Sequence, residues 1–156
     1  MIIIRPRNHT NKHEKIVCGF VAFFLTIVNY SKMNLILKEE VYTIVGYCIE
    51  VWKTLGYGFS EIIYKDAMEI EFTADQIPYK REDELSVNYK GKVLRHKFKA
   101  DFILFDNIIV EVKSGEDGIN STVVSQTLNY LKASGCRIGL IVNFGKSKME
   151  YKRFIM

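Results

Sequence analysis

Disulfide chemistry and zinc ligation have little raw material in this chain of 156 residues. The three cysteines, Cys18, Cys48 and Cys136, lie far apart and show no C-x-x-C spacing. That pattern excludes a disulfide framework and a zinc knuckle, and it fits a reducing, cytoplasmic setting. His96 has no second histidine or cysteine at ligand spacing, which argues against zinc there. Internal repeats and low-complexity tracts are missing. Proline is scarce, and Pro78 ends a helical stretch. A net charge of +4 is mild, permitting contact with a polyanion without arguing for one. The apolar run at residues 16–28 (IVCGFVAFFLTIV) has 13 residues, short of the roughly 20 that span a bilayer.

A hydrophobic share of 48% against 26% charged residues is that of a folded globular domain rather than a disordered chain. Residues 1–32 differ from the rest. Arg5, Arg7, Lys12 and Lys15 precede the apolar run as in a signal peptide, yet no small-x-small cleavage site follows it. Three readings stay open for this segment: an extension upstream of the true start, an extra helix or strand, or a membrane or export signal. Residues 33–156 carry the domain. Apolar spacing of three and four predicts a helix over 35–55, closed by Gly56 and Gly58. A second helix is expected over 59–73 with Ser60 as N-cap, then strands over 79–88 and 92–98 around a turn at 89–92. Central strands follow at 99–105 and 108–113, a helix capped by Ser121 reaching 133, and strands at 136–143 and 148–155. This order makes one α/β (α+β) domain.

Within the strand-like stretch 100–113 (ADFILFDNIIVEVK), Asp101, Glu111 and Lys113 are charges set among Ile, Val, Leu and Phe. Burying a carboxylate costs several kcal/mol unless a partner or a metal compensates. Glu111 and Lys113 share a strand face, because side chains repeat every second residue. Two carboxylates and an ammonium at one point of a sheet have the composition of a metal-dependent phosphodiester-cleaving centre. Register tests that reading. Asp101 faces Glu111 only if the hairpin closes through an odd loop, such as Leu104 paired with Ile108, or through a bulge.

Other positions are less specific. Glu61 sits with Tyr64 and Met68 on one side of the second helix, although a glutamate there also simply favours a helix N-terminus. Gln126 and Tyr130 project together from the third helix, as a phosphate-handling pair or as a half-buried boundary pair. Residues 79–99 are rich in lysine and arginine, a composition that fits a phosphate backbone or an ordinary charged hairpin.

Gly58-Phe-Ser-Glu61-Ile-Ile-Tyr64 matches a GxxExxY pattern, continued by Ala67, Glu71, Asp101, the VEVK at 110–113, QTLNYLKASG at 126–135 and IVNFG at 141–145. From about residue 34 to 156 the chain resembles the GxxExxY protein family of small prokaryotic proteins, grouped with the PD-(D/E)XK nuclease superfamily. The resemblance implies a restriction-endonuclease-like αβββαβ core with a mixed central sheet flanked by helices. It implies that Asp101 and Glu111 hold Mg2+, with Glu61 taking a second ion or the first ion's water and Lys113 stabilising charge on the phosphate. Few ligands, all of them oxygens, suit Mg2+, with Mn2+ able to substitute. Gln126-x-x-x-Tyr130 is similar to the QxxxY motif of RecB-like nucleases. Ala100 stands where the superfamily has its proline. The implied function is a cytoplasmic, Mg2+-dependent nuclease acting on DNA, with no membrane role for residues 33–156. A non-catalytic nucleic-acid-binding or regulatory module is the alternative.

The predicted elements after Met33 already make a complete core, so residues 1–32 have no assigned partner there. Deleting them is expected to leave the melting temperature nearly unchanged and to raise solubility, because an uncovered apolar run promotes association. A loss of several degrees on thermal denaturation would show that they pack into the domain.

Overall fold

The computed structural model describes residues 36–156, so the apolar run at 16–28 and its three readings lie outside the described residues. Two units divide the chain, Met1–Ile36 and Leu37–Met156, and the fold below is that of the second. Helix α1 (Lys38–Leu55) begins a few residues later than its apolar pattern predicts and buries Val41, Ile44, Val45, Cys48 and Val51 along one stripe. Gly56 closes it at φ 71° with its amide on the Trp52 carbonyl. Helix α2 (Glu61–Ala74) buries Tyr64, Lys65, Met68 and Phe72. Ser60 occupies the cap position without making a side-chain cap bond. No helix among the described residues is long and apolar enough to cross a membrane.

Strands over 79–88 and 92–98 do not form as continuous units. The segment breaks into β1 (Tyr79–Arg81), β2 (Glu84–Leu85), β3 (Asn88–Tyr89), β4 (Lys92–Val93) and β5 (Phe98–Lys99). Glu82, at φ 53°, turns the chain out of β1, and only then does a separate hairpin begin. The turn at its tip is as predicted: Tyr89 pairs with Lys92 across Lys90 and Gly91, both with positive φ.

The main sheet has five strands in the order β1-β6-β7-β8-β9, where β6 is Phe102–Leu104, β7 Ile108–Lys113, β8 Ile138–Asn143 and β9 Glu150–Ile155. Only β7 and β8 run parallel, joined through helix α3 (Ser121–Ser134). Asn120, one residue before the expected Ser121, caps α3 by accepting from the Thr122 and Val123 amides. Taken together, α2, β1, β6, β7, α3 and β8 give the αβββαβ order, with α1 and β9 added outside it. The expected restriction-endonuclease-like architecture is the one observed.

Register follows from a short loop. Leu104 pairs with Ile108, Ile103 with Ile109 and Phe102 with Val110, leaving three residues at the bend. Phe105 and Asp106 both take left-handed backbone there, at φ 53° and 51°. That conformation costs an ordinary residue about 1–2 kcal/mol. The bend is tied by Phe105 N–H to the Pro78 carbonyl and by the Arg137 and Ile138 amides, both donating to the Asn107 carbonyl. One face of the β6–β7 pair, Ile103 and Ile109, packs with Tyr130 and Leu131 of α3. On the other face Phe102 meets Phe72 of α2 edge-on at 5.4 Å.

Two close approaches need glycine. A Cβ on Gly139 of β8 would lie 2.8 Å from Thr127 and 3.1 Å from Leu131, so α3 sits directly on this strand. A Cβ on Gly145 would lie 2.3 Å from the Ser114 carbonyl oxygen, in backbone that cannot swing aside. Gly145→Ala is expected to lower stability by about 1–3 kcal/mol, as overpacking does. Exposed Gly46 in α1 has nothing within 4 Å of its would-be Cβ. Gly46→Ala should therefore raise stability by about 0.5–1 kcal/mol through helix propensity. Denaturant midpoints moving in opposite directions for the two variants check both.

Candidate active site

Extending the register by one step sets Asp101 across from Glu111, on the α3-facing side of the sheet. Asp101 is held at both oxygens. Its Oδ2 accepts from the Val112 amide at 2.8 Å, and its Oδ1 accepts from Lys65 Nζ at 3.0 Å. Glu111 is 3% exposed, two residues before the end of a strand buried over all but its last residue. Its Oε1 accepts from Lys113 Nζ at 2.8 Å, while Oε2 is buried with no hydrogen-bond partner. A buried acceptor left open costs about 1–3 kcal/mol, more when charged. Lys113 also reaches Glu61 at 3.7 Å.

Burial pushes the Glu111 carboxyl up to about 7, helped by the negative charge of Asp101 and opposed by Lys113. Burial works to lower the Lys113 pKa, but the hydrogen bond and charge of Glu111, with Glu61 and Asp101, hold it above the usual value. For Lys65 too, burial is outweighed by Asp101 and Glu82, and the pKa is raised. Tyr130 on α3 is pushed up by burial and by the charges of Glu111 and Asp101, against a hydrogen bond from the Gln126 amide to its hydroxyl. The fields of both acids thus reach the Gln126–Tyr130 pair.

Glu61, Lys113 and Glu111 are thus linked by ion pairs near the end of β7, Asp101 lies across from Glu111, and Gln126 bonds Tyr130 on the helix that covers this face. Glu61 meets Lys113 rather than joining the two acids. Among the described residues no three carboxylate, histidine or cysteine side chains form a ready metal cage. Asp101, Glu111 and the open Glu111 Oε2 nevertheless fit a hard cation by donor chemistry, since a cation would satisfy the buried oxygen.

Lys65 and Glu82 escaped the sequence reading. Lys65 Nζ bridges Asp101 and Glu82, the latter at 3.1 Å, and Glu82 also accepts from Lys99 at 2.8 Å. The signal for Lys65 was present: it lies four residues after Glu61, on the stripe that buries Tyr64 and Met68. Glu82 had none, because its place depends on the break after β1.

Tyr64 explains where Glu61 starts. Its ring stacks on Phe144 at 4.5 Å, and its hydroxyl donates to the Gly56 carbonyl at 2.9 Å and accepts from the Phe59 amide. The glycine turn, with Gly58 at φ 108°, is thereby clamped to the core.

An αβββαβ sheet with an acid pair and lysines at the end of its central strand belongs to the class of nuclease-type folds. This chain belongs to the PD-(D/E)XK nuclease superfamily, whose family model matches residues 38–154. The crystal structure of SSO0001 is similar at a TM-score of 0.48 and 21% identity, covering 60% of this chain and 48% of that one. The chain thus spans about half the length of SSO0001. No curated protein matches it. Nucleases of this superfamily generally use divalent metals.

The raised Glu111 pKa fixes a pH dependence. A carboxyl that ordinarily titrates near 4.5 and holds its proton to about 7 when folded favours the folded state while protonated. Stability should fall as pH rises from about 4.5 to 7 and then level off, by on the order of 3 kcal/mol at about 1.4 kcal/mol per pKa unit. Glu111→Gln should remove that slope and be the more stable form at pH 8. Denaturation across this pH window, wild type against variant, reads the difference.

Proposed function

We propose that this protein is a Mg2+-dependent nuclease that hydrolyses phosphodiester bonds in DNA, acting in the cytoplasm through the domain that begins near Met33. The observation that supports it is the buried, unpartnered Oε2 of Glu111 beside Asp101, at the end of a strand of a PD-(D/E)XK fold. Asp101 and Glu111 would hold the ion, with Mn2+ able to replace Mg2+. When bound, the ion supplies Lewis-acid polarisation of the phosphate and a lowered pKa for a coordinated water. Lys113, already charged and anchored on Glu111, stabilises negative charge building on the phosphate. Glu61, paired with Lys113, would hold a second ion or a water of the first. Tyr130, positioned by Gln126, donates to a phosphate oxygen, and this pair is read as a QxxxY motif. Glycine at 58 with Glu61 and Tyr64 is likewise read as membership of the GxxExxY proteins.

A non-catalytic nucleic-acid-binding module is favoured by one observation: both Asp101 oxygens already accept hydrogen bonds. Each carboxylate oxygen has a second lone pair, so ligation remains open to it. Cleavage decides. Purified protein with Mg2+ or Mn2+ is expected to nick or degrade plasmid or linear DNA and to stop on chelation. Asp101→Ala should lower the rate by more than about a hundredfold, beyond the 10–100-fold typical of groups that only support a metal ligand. Binding to DNA without metal-dependent cleavage would install the non-catalytic reading instead.

A further inference from the structure

Between β1 and β6, residues 82–99 leave the sheet as a two-step arm. At its foot β2 pairs with β5, Glu84 opposite Lys99 and Leu85 opposite Phe98. At its tip β3 pairs with β4, Asn88 opposite Val93 and Tyr89 opposite Lys92. Two residues separate Leu85 from Asn88, but four separate Val93 from Phe98, so the returning strand bulges and carries Arg95 outward. Every residue from Asn88 to Lys99 is exposed, and that stretch holds five lysines and arginines and no acid. Lys97 and Lys99 pair with Glu84 and Glu82 at the foot. Lys90, Lys92 and Arg95 make no ion pair with any described residue.

Directly opposed residues of an antiparallel pair share a face. Tyr89 and Lys92 therefore stand side by side, and Lys90 Nζ lies 5.5 Å from the Tyr89 ring centre. The result is an aromatic ring, 60% exposed, with the Lys90 ammonium over one face and Lys92 as its cross-strand neighbour, neither lysine paired with a carboxylate of the described residues. Such a ring offers a stacking face for any unpaired base, and the ammonium groups meet the adjoining phosphates.

The arm is also built into the site. Lys99 bonds Glu82, Glu82 bonds Lys65, and Lys65 bonds Asp101, a continuous run of ion pairs from arm to acid pair. Phe98 at the foot contacts the Tyr130 ring at 5.6 Å.

We propose that this arm holds single-stranded nucleic acid, with Tyr89 stacking on a base while Lys90, Lys92 and Arg95 contact the backbone phosphates. The proposal rests on the nuclease reading only for what happens to the bound strand; the grip itself is independent of cleavage. Duplex is not the favoured partner, because its bases are already stacked and offer Tyr89 no face.

The test uses the full chain and labelled single-stranded DNA, single-stranded RNA and duplex DNA, with binding read by fluorescence anisotropy in EDTA. Tyr89→Ala is expected to weaken single-strand binding about tenfold, the scale of one lost base stack, and to leave duplex binding unchanged. Tyr89 is exposed, so the variant should keep the wild-type melting temperature, which is measured alongside. The double variant Lys90→Ala with Lys92→Ala should reduce the slope of log affinity against log salt by about 1.4, at roughly 0.7 per phosphate contact on a single strand. Lys53→Ala on α1 removes one charge elsewhere and should change none of this. Unchanged single-strand affinity in Tyr89→Ala, or equal losses on duplex, overturns the arm. Comparison of the DNA and RNA strands shows which the arm takes. A wild type that binds single strands through Tyr89 but cleaves nothing with Mg2+ leaves the arm standing and removes the nuclease. A wild type that cleaves, with Tyr89→Ala binding normally, does the reverse.

Discussion

A three-residue bend at Phe105–Asn107 holds β6 one step away from the register that a two-residue turn would impose. The contacts of Asp101 with the Val112 amide and with Lys65, and its place beside Glu111, depend on that step. In a sheet, a slip of one residue moves each side chain to the opposite face. With Leu104 on Ile108, the two acids fall on one face and the apolar pair Ile103–Ile109 continues beneath them into the core with Tyr130. With a two-residue turn, Asp101 would sit opposite Val112 and look toward the other layer. Holding Phe105 and Asp106 in left-handed backbone is the cost of that choice. It is offset by the Asn107 carbonyl, which takes two amides at the start of β8. The bend thus fixes β6 against β7 and β7 against β8 together.

Once the acids share a face, charge has to balance. Two carboxylates at one poorly solvated point repel, and the fold answers with two lysines from different elements. Lys113 comes from the same strand and Lys65 from α2, each on its own acid. The balance is uneven. Asp101 has a partner for both oxygens, whereas Glu111 has one for a single oxygen and carries the raised pKa. An arrangement selected only for stability would fill such a gap or replace the ion pairs with apolar side chains. Strain and unmet polar groups of this kind are what functional sites retain. That asymmetry singles out Glu111 Oε2 as the place where an incoming cation changes the energetics most.

Much of this was legible in the chain because apolar and charged patterns obey fixed periods. Ile108–Val112 reads as an interior strand, so Glu111 within it stands out before any coordinates. The alternatives for Asp101 turned on loop length, and sequence supplied the condition without its answer: Asp106-Asn107 looks like a two-residue turn, and nothing local reveals that Phe105 joins it. Residues 79–88 and 92–98 read as two continuous strands because β-propensity ignores the break at Glu82, whose left-handed backbone brings its side chain to Lys65 and Lys99. Those are tertiary contacts, and Glu82 was invisible for the same reason.

The spacing of Gly58, Glu61 and Tyr64 acquires a mechanical meaning from these contacts. Tyr64 lies one turn after Glu61, yet it serves the turn before the helix, bonding Gly56 and Phe59 while stacking on Phe144. Phe144 follows Asn143, the residue paired with Lys113, and its own amide donates to the Lys113 carbonyl at 2.8 Å. The chain that carries the site lysine and the helix that carries Glu61 are therefore locked through one ring pair. A glutamate three residues after Gly58 begins the helix, and its side chain meets Lys113 without further adjustment. Shifting Tyr64 by one position would rotate the helix about its axis by roughly 100°. It would carry Glu61 off the lysine and Lys65 off Asp101 together, so three residues spaced along one helix set the geometry of two ion pairs on a sheet they never join.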